Sequence, residues 1–281
     1  MSIHAAEAAK DDASYAAQEE AHGIEPRRVG DVVMEMKNIT LRFGGVTAIK
    51  DISFDVREHE IRAIIGPNGA GKSSMLNVIN GFYHPQEGEI WFRGEKRGPM
   101  RPHEIAHQGI ARTFQNIALF KGMSTLDNIM TGRMTLMKSN FWQHTFWKGG
   151  AEREEVEHRR RVEEIIDFLE IQAIRKTPVG RLPYGLQKRV ELGRALAAEP
   201  KLLLLDEPMA GLGAEGSGAL ADLLETLKAE APILLVEHDM DAVFRLADRV
   251  SVLVAGRVIA SGPVAEIRAD PKVRRAYLGE D

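Results

Sequence analysis

The sequence predicts an α/β fold in which a parallel sheet is covered by helices. In the second half of the chain, three short apolar runs, LLLLDEP, ILLVEHD and VSVLVAG, alternate with segments of helical spacing. One of those segments places four leucines on a single helical face: Leu220, Leu223, Leu224 and Leu227. Short buried strands that alternate with helices are typical of a parallel sheet with helices on its faces.

The first part of the chain predicts an antiparallel β subdomain. From Asp31 onward, VVMEMKNITLRF and ISFDV alternate partly between apolar and polar residues, IRAII is a short buried run, and EIWFRG follows a turn at Pro85–Gly88. Residues 1–30 are rich in Ala, Glu, Asp and Lys and contain few large apolar groups, which predicts a mobile tail. Residues 31–281 are then one folded domain.

A mostly helical subdomain is predicted over about residues 96–186. Its clearest signal is apolar spacing at i, i+3, i+4 and i+7 in Val162, Ile165, Ile166 and Leu169. The same region contains FWQHTFW, Phe141–Trp147, with two of the chain's three tryptophans. This aromatic segment is either core of the subdomain or a contact with a membrane partner, because exposed aromatic clusters often mark interfaces.

Composition excludes several classes of protein. The 281 residues carry a formal net charge of −4, which gives no broad basic surface for nucleic acid. The absence of cysteine excludes disulfides and thiolate zinc sites and fits a reducing cytosol. No apolar run approaches the roughly 20 residues that span a bilayer. We therefore expect any membrane role to be exerted from the cytosol through a partner.

The stretch GPNGAGKS, between the buried run IRAII and a helical segment, has the pattern G-x-x-x-x-G-K-S of a phosphate-binding loop. Glycines let consecutive N–H groups point inward, and the positive end of the following helix adds to this anion cradle. The loop predicts binding of nucleotide phosphates, with Lys72 reaching the β and γ phosphates and the Ser73 hydroxyl facing Mg²⁺. The predicted ATP-binding residues are Gly66, Pro67, Asn68, Gly69, Ala70, Gly71, Lys72, Ser73 and Ser74.

Two acids and a histidine follow two of the apolar strands. Asp206 and Glu207 end LLLLDE, where an open α/β sheet places its ligands. Because neighbouring residues of a strand point to opposite faces, we expect Asp206 to orient Mg²⁺ and Glu207 to act as general base toward water. Without the phosphate loop, helix capping would be the alternative role for these acids. His238 follows ILLVE, which favours contact with the γ phosphate over a structural role.

In this order, the motifs resemble those of the ATP-binding cassette (ABC) ATPases over about residues 31–281. GPNGAGKS resembles the Walker A motif, LPYGLQ the family signature, LLLLDE the Walker B motif, MAGLG the D-loop, and His238 the switch histidine. Gln115 in ARTFQN matches the Q-loop, and the resemblance gives it roles in catalysis and Mg²⁺ binding. Phe43 matches an aromatic residue that stacks on adenine in the family; strand core is its alternative role.

A closer resemblance is to the branched-chain amino-acid uptake branch. It rests on RFGGVTAIKDISF, RTFQN, the YG of the signature, EHDM and the terminal RAYLGE. It implies a peripheral ATPase on the cytoplasmic face of the inner membrane, paired with a second ABC ATPase, itself or a paralogue. Two membrane permease subunits and an extracytoplasmic solute-binding protein complete such importers. Tyr184 and Gly185 are then offered in trans to the partner's ATP.

Several residues depart from the family's usual LSGGQ signature and D-loop. Pro183 replaces serine and can offer neither a hydroxyl nor an N–H, and Leu186 replaces glutamine. Gly213 stands where the D-loop usually ends in Asp or Asn. These departures predict that the composite ATP site completed by this chain's signature is the weaker of two.

Alternative functions remain within and outside transport. Another solute such as urea or an aromatic acid fits the same motifs, and so does lipopolysaccharide export, although RTFQN and YG disfavour export. A soluble ABC ATPase acting on ribosomes or DNA usually carries two cassettes or a long coiled-coil insertion. A P-loop kinase would leave the signature and His238 unexplained.

Overall fold

The structure is a computed structural model that describes residues 30–115, 117–137 and 150–278. Residues 1–29 of the predicted tail and the aromatic segment Phe141–Trp147 lie outside the described residues. Within these residues, no helix is long and apolar enough to cross a membrane.

The N-terminal part forms an antiparallel sheet of four strands in the order β2-β1-β4-β5. Its strands are β1 (Val32–Phe43), β2 (Val46–Arg57), β4 (Glu87–Phe92) and β5 (Glu95–Arg97). β1 and β2 pair from Val32 with Arg57 to Phe43 with Val46, and β4 pairs with the other edge of β1. The predicted antiparallel β part is therefore confirmed.

A second sheet has six strands in the order β10-β9-β3-β8-β7-β6. The strands are β3 (Ile61–Ile65), β6 (Ile110–Arg112), β7 (Leu202–Asp206), β8 (Ile233–Val236), β9 (Arg249–Val254) and β10 (Arg257–Pro263). All neighbours pair in parallel except β10, which runs antiparallel to β9. The three apolar runs that predicted the parallel sheet are β7, β8 and β9, so this prediction is confirmed.

Helices cover both faces of the six-stranded sheet. They are α1 (Lys72–Ile79), α2 (Pro102–Gln108), α3 (Thr125–Thr131), α4 (Gly150–Phe168), α5 (Tyr184–Ala197), α6 (Ala214–Leu227), α7 (Met240–Leu246), α8 (Val264–Ala269) and α9 (Pro271–Leu278). Single 3₁₀ turns follow at Gly132–Thr135, Gln172–Ile174 and Val179–Arg181. Within the predicted helical subdomain, residues 96–186, the first 17 residues contribute α2 and β6 to the sheet-bearing part of the molecule.

Most of the core lies in two large clusters on the two sides of the six-stranded sheet, and a smaller third cluster packs β3 and β9 against α7, α8 and α9. One cluster joins the four-stranded sheet to α1 and to alternate residues of β3, β7 and β8. The other joins the opposite residues of those strands to α3, α4, α5 and α6, and it includes the predicted helical face Val162, Ile165, Ile166 and Leu169. Because β3, β7 and β8 are buried on both faces, their carboxyl ends are held at fixed positions.

A buried network of charges joins the two sheets. Arg249 at the start of β9 donates from Nη1 to Asp55 of β2 at 3.0 Å and from Nη2 to Glu60 at 3.0 Å. Glu60 also accepts the main-chain N–H of Arg57 at 2.8 Å. Burial by itself would raise the pKa of Asp55, but the ion pairs with Arg249 and Arg57 and the nearby charge of Arg62 outweigh it and hold this pKa well below its usual range.

The low pKa of Asp55 predicts a loss of stability in acid. The folded carboxyl titrates below the unfolded value of about 3.9, so its stabilisation is complete above that value and is lost as the pH falls through the folded pKa. We expect Asp55→Asn to lower the free energy of unfolding at pH 7 by about 1–3 kcal/mol. Its melting temperature should fall less than that of the wild type between about pH 5 and 3.

Thermal melting across this pH range checks the prediction. Asp31→Asn, which changes an exposed carboxylate, serves as the control and should keep the wild-type slope. Equal acid sensitivity of Asp55→Asn and the wild type would contradict the assignment.

Candidate active site

The phosphate loop is built between β3 and α1 as the sequence predicts. Gly71 is the N-cap of α1 with φ 104°, and a Cβ there would lie 2.8 Å from the Ala48 carbonyl oxygen. At Gly66 a Cβ would lie 2.2 Å from the carbonyl oxygen of Leu253, which no real Cβ tolerates. The close approach of β9 and of β2 to the loop therefore restricts both positions to glycine.

Lys72 lies against the loop that precedes it. Its Nζ donates to the carbonyl oxygen of Gly66 at 2.6 Å and to that of Pro67 at 3.1 Å. Burial lowers the pKa of Lys72, and the nearby carboxylates of Glu207 and Asp206 oppose that shift. The rest of the loop, Pro67, Asn68 and Gly69, is exposed, and so is Ser73 in the first turn of α1, whereas Ala70 is buried and Ser74 half-buried.

Asp206 ends β7 and is held by an arginine. Its Oδ2 accepts from Nη2 of Arg112 at 2.8 Å, and both side chains are buried. Nη1 of the same guanidinium donates to Oδ1 of Asn77 on α1 at 2.7 Å. Arg112 thus ties the carboxylate at the end of β7 to the helix that follows the phosphate loop.

The backbone of Glu207 does not continue strand β7, contrary to the prediction from sequence. It lies just beyond the end of β7 with φ 49°, in the left-handed region that non-glycine residues rarely adopt. Its N–H donates to the carbonyl oxygen of Val236 in β8 at 2.9 Å. The directions of Asp206 and Glu207 are therefore set by this backbone turn, so the argument from strand alternation was wrong in its premise.

Gln115 and His238 approach Glu207 from two loops. Nε2 of Gln115 donates to Oε2 of Glu207 at 3.0 Å, and Nδ1 of His238 lies 3.7 Å from the same oxygen. The His238 side chain is 56% exposed, so it can also face a ligand. The structure thus brings Gln115, Glu207 and His238 together at the carboxyl edge of β7 and β8.

Glu237, the residue before His238, is fully buried. A buried carboxylate needs hydrogen-bond donors to replace water. It accepts the N–H of Met209 at 2.9 Å and the N–H of His238 at 3.2 Å. Burial raises the pKa of Glu237, against these two hydrogen bonds. Glu237 therefore fixes the loop of His238 to the segment that follows Glu207.

Phe43 and the signature residues have neighbours other than these catalytic candidates. Phe43 is exposed and contacts Tyr83 edge to face, with ring centroids 4.9 Å apart. Tyr184 and Gly185 begin α5, for which Pro183 is the N-cap residue. Tyr184 lies beside Gly211, where a Cβ would be 3.0 Å from the ring, and Gly185 lies beside Leu212.

Four charged residues of this region were not singled out from the sequence: Arg112, Lys188, Glu191 and Glu237. Each is buried or nearly so. Only Glu237 directly follows a predicted buried strand, ILLV, and a charged residue at that place is a signal that could have identified it, because such a charge needs a specific partner. The identity of those partners depends on long-range contacts.

The three predicted metal ligands fit Mg²⁺ only if phosphate oxygens of a nucleotide complete its coordination. The predicted ligands are the hydroxyl of Ser73, the amide of Gln115 and the carboxylate of Asp206, all oxygen donors of the type that Mg²⁺ prefers. Among the described residues, no group of three or more His, Cys, Asp or Glu side chains is gathered for a metal ion. Mg²⁺ usually binds through one or two carboxylates plus substrate phosphates, which this set matches.

Two family models match the chain. One, described as ABC transporter, matches residues 49–210, and the other, described as branched-chain amino acid ATP-binding cassette transporter, matches residues 257–281.

Curated relatives match over most of their length. The chain is 35% identical to the high-affinity branched-chain amino acid transport ATP-binding protein BraF of Pseudomonas aeruginosa, over 88% of this chain and 98% of the relative. It is 34% identical to a probable branched-chain amino acid transport ATP-binding protein, LivG, of Methanocaldococcus jannaschii, over the same shares.

Solved structures with this fold include the ADP conformation of an ATP-binding cassette of an ABC transporter. That structure shares 33% identity and a TM-score of 0.77 with this chain, covering 89% of it and 100% of the solved chain. A dimeric cassette in a post-hydrolysis state, bound to ADP and phosphate, is 26% identical with a TM-score of 0.68, over 82% of this chain and 98% of that one.

The buried ion pair of Arg112 and Asp206 predicts a strong effect of single substitution. Arg112→Met leaves the carboxylate of Asp206 buried without its cation, so we expect a loss of about 3–5 kcal/mol in the free energy of unfolding. Adding Asp206→Asn should recover part of that loss, because the unpaired charge is removed. Urea denaturation measures both effects.

Arg257→Met, at an exposed arginine, is the matched control and should remain within about 0.5 kcal/mol of the wild type. If Arg112→Met proves as stable as Arg257→Met, the pair contributes nothing to stability.

Proposed function

The chain belongs to the ABC transporter ATPase family, and from this premise we propose that it hydrolyses ATP to power an importer for branched-chain or related amino acids. The observation that carries the proposal is the gathering of Gln115, Glu207 and His238 at the sheet edge where Lys72 and Asp206 also lie. The names of the relatives and the second family model support the solute class.

The phosphate loop binds the nucleotide. The main chain from Gly66 to Gly71 and the N-terminus of α1 present N–H groups and a positive dipole to the phosphates. Lys72 exchanges its contacts with the loop carbonyls for contacts with the β and γ phosphates, and Ser74 adds a second hydroxyl in the first turn. Phe43, exposed beside Tyr83, supplies a face on which adenine stacks.

Ser73, Asp206 and Gln115 would hold Mg²⁺, which neutralises charge on the phosphate oxygens when it is bound. Arg112 holds the carboxylate of Asp206 in place through its ion pair at 2.8 Å. The arginine therefore positions a carboxylate oxygen at the end of β7 before any ligand arrives.

Glu207 takes a proton from the attacking water. A carboxylate in this role contributes roughly 10²–10⁴-fold to the rate. Gln115, which donates to Oε2 at 3.0 Å, orients the carboxylate, and His238 on the far side contacts the γ phosphate. As the water oxygen bonds to the γ phosphorus, the bond to the β–γ bridging oxygen breaks, and ADP and phosphate are the products.

The signature residues act on a second cassette. Tyr184 and Gly185 lie at the N-terminus of α5, whose positive end is directed to the partner's ATP. The chain contains one set of motifs, so a second cassette, a copy or a paralogue, completes two composite sites. The dimeric cassette with ADP and phosphate supports this arrangement.

The remaining partners follow from the same proposal. The cassette pair binds two permease subunits from the cytoplasmic face of the inner membrane, and an extracytoplasmic protein delivers the solute. ATP closes the pair and hydrolysis releases it, which moves the permease subunits as rigid bodies. No nucleic acid takes part.

We expect Glu207→Gln to bind ATP with nearly wild-type affinity and to lose at least about 10²-fold in kcat, because the amide cannot accept the proton of water. Phosphate release and calorimetric ATP binding measure the two quantities. Glu215→Gln, at an exposed glutamate in the first turn of α6, should leave both unchanged. Normal turnover by Glu207→Gln would remove Glu207 from its role as base.

The solute class is tested in the assembled transporter. The chain is purified with its permease subunits and binding protein in lipid vesicles, and ATP hydrolysis is compared with binding protein loaded with leucine, urea or an aromatic acid. We expect leucine to stimulate hydrolysis several-fold and the other two to do so less. Stimulation by urea or the aromatic acid alone would assign the importer to that solute.

A further inference from the structure

One face of α5 carries two buried charges in addition to the signature. Tyr184, Lys188 and Glu191 are spaced at i, i+4 and i+7, so they lie on the same side of the helix. Lys188 is 6% exposed and Glu191 is 1% exposed. Lysine and glutamate are almost never this buried unless they have partners, so each must be held by a specific contact.

Lys188 contacts the backbone of Glu207. Its Nζ donates to the main-chain carbonyl oxygen of Glu207 at 3.3 Å and lies 5.7 Å from the centroid of the Tyr184 ring. The N–H of Glu207 is already bound to Val236 at 2.9 Å. The left-handed backbone of Glu207 is thus held from both sides, and a conformation of this kind persists only where its surroundings enforce it.

Glu191 contacts the loop of Gln115. Its Oε1 accepts the main-chain N–H groups of Phe114 at 3.5 Å and Ala118 at 3.4 Å, on either side of Gln115. Gln115 in turn donates to the carboxylate of Glu207 at 3.0 Å. Glu191 therefore acts on the side chain of Glu207 through this loop, whereas Lys188 acts on its main chain.

We propose that Lys188 and Glu191 are positioning residues for Glu207, so that the helix that offers its N-terminus to the partner's ATP also aligns the general base of its own chain. The inference rests on the proposed function and specifies how its two composite sites communicate. When α5 moves on binding the partner's nucleotide, Lys188 and Glu191 move with it, because these two residues and the N-terminus that faces the nucleotide belong to one helix.

Substitution of Lys188 tests the main-chain contact. We expect Lys188→Met to lower kcat for ATP hydrolysis by about tenfold or more while the Kd for ATP, measured with magnesium chelated, changes less than about threefold. Lys188→Arg keeps a buried donor and should recover most of kcat. Lys176→Met, at an exposed lysine of the neighbouring loop, is the control and should equal the wild type.

Thermal melting accompanies each assay. If Lys188→Met fails to fold, Lys188→Gln, which keeps a neutral donor, takes its place, and we expect an intermediate loss of kcat at unchanged ATP affinity. A folded Lys188→Met or Lys188→Gln with wild-type kcat would overturn the inference. So would a parallel loss of kcat and ATP affinity, because that pattern indicates general distortion.

A dimer with one active site distinguishes action on the chain's own site from action on the partner's. In the first arrangement, the P-loop lysine of the second cassette is replaced by alanine, so only this chain's Lys72 and Glu207 hydrolyse ATP. In the second, Lys72→Ala silences this chain, and only its signature is used. Lys188→Met should lower the rate in the first arrangement and spare it in the second.

Loss in the second arrangement alone would show that Lys188 serves only the signature, and the inference would fail. A wild-type complex that hydrolyses no ATP would overturn the proposed function together with this inference. Active wild type with an equally active Lys188→Met, in contrast, overturns this inference alone.

Discussion

Parallel pairing of β3, β8 and β7 is the constraint on which the site depends. Ile64 of β3 and Asp206 of β7 both pair with Val236 of β8, so the three strands end at one level. Each strand is buried along its whole length, which leaves the register no alternative without exposing apolar side chains. The phosphate loop follows the end of β3, Asp206 and Glu207 lie at the end of β7, and His238 follows β8. The pairing of the strands alone therefore brings these groups together, without any contact between their loops.

Electrostatic balance at that edge depends on buried partners more than on the exposed groups. The carboxylates of Asp206 and Glu207 stabilise the charged form of Lys72 against the effect of burial, and Asp206 is also paired with Arg112. Asn77 and Arg112 connect α1 to β7, while Glu237 connects the loop of His238 to Met209. Each of these contacts joins elements that are distant in sequence. A ligand that draws on Lys72 or Asp206 thus acts on groups that are already fixed to the sheet, and little ordering is left to be done on binding.

Local signals explain why much of this could be predicted. Burial alone explains the apolar runs of β7, β8 and β9 and the spacing of Val162 to Leu169. Because buried residues recur at regular intervals along a helix or strand, the sequence shows this pattern directly. The phosphate loop is recognised from a local pattern of residues, although the contacts that restrict Gly66 and Gly71 to glycine come from Leu253 and Ala48, which are distant in sequence. Glu207 could not be placed from the strand pattern, since its left-handed φ arises from contacts with Val236 and Lys188, which lie 29 and 19 positions away. Long-range pairs of this kind leave no periodic trace.

Helix α5, which begins with the signature residues, has contacts that its motif does not predict. The stretch LPYGLQK suggests a helix N-terminus offered to another chain, and Pro183 as N-cap with φ −55° fits that role without a side-chain hydroxyl. Further along the same helix, Lys188 and Glu191 contact other parts of their own chain. Because a helix moves as one body, these contacts and those of its N-terminus cannot change independently. The tyrosine that replaces glycine in the signature lies between these two functions: its ring packs on Gly211 and near the ammonium of Lys188, so its size stabilises the helix's attachment within the chain.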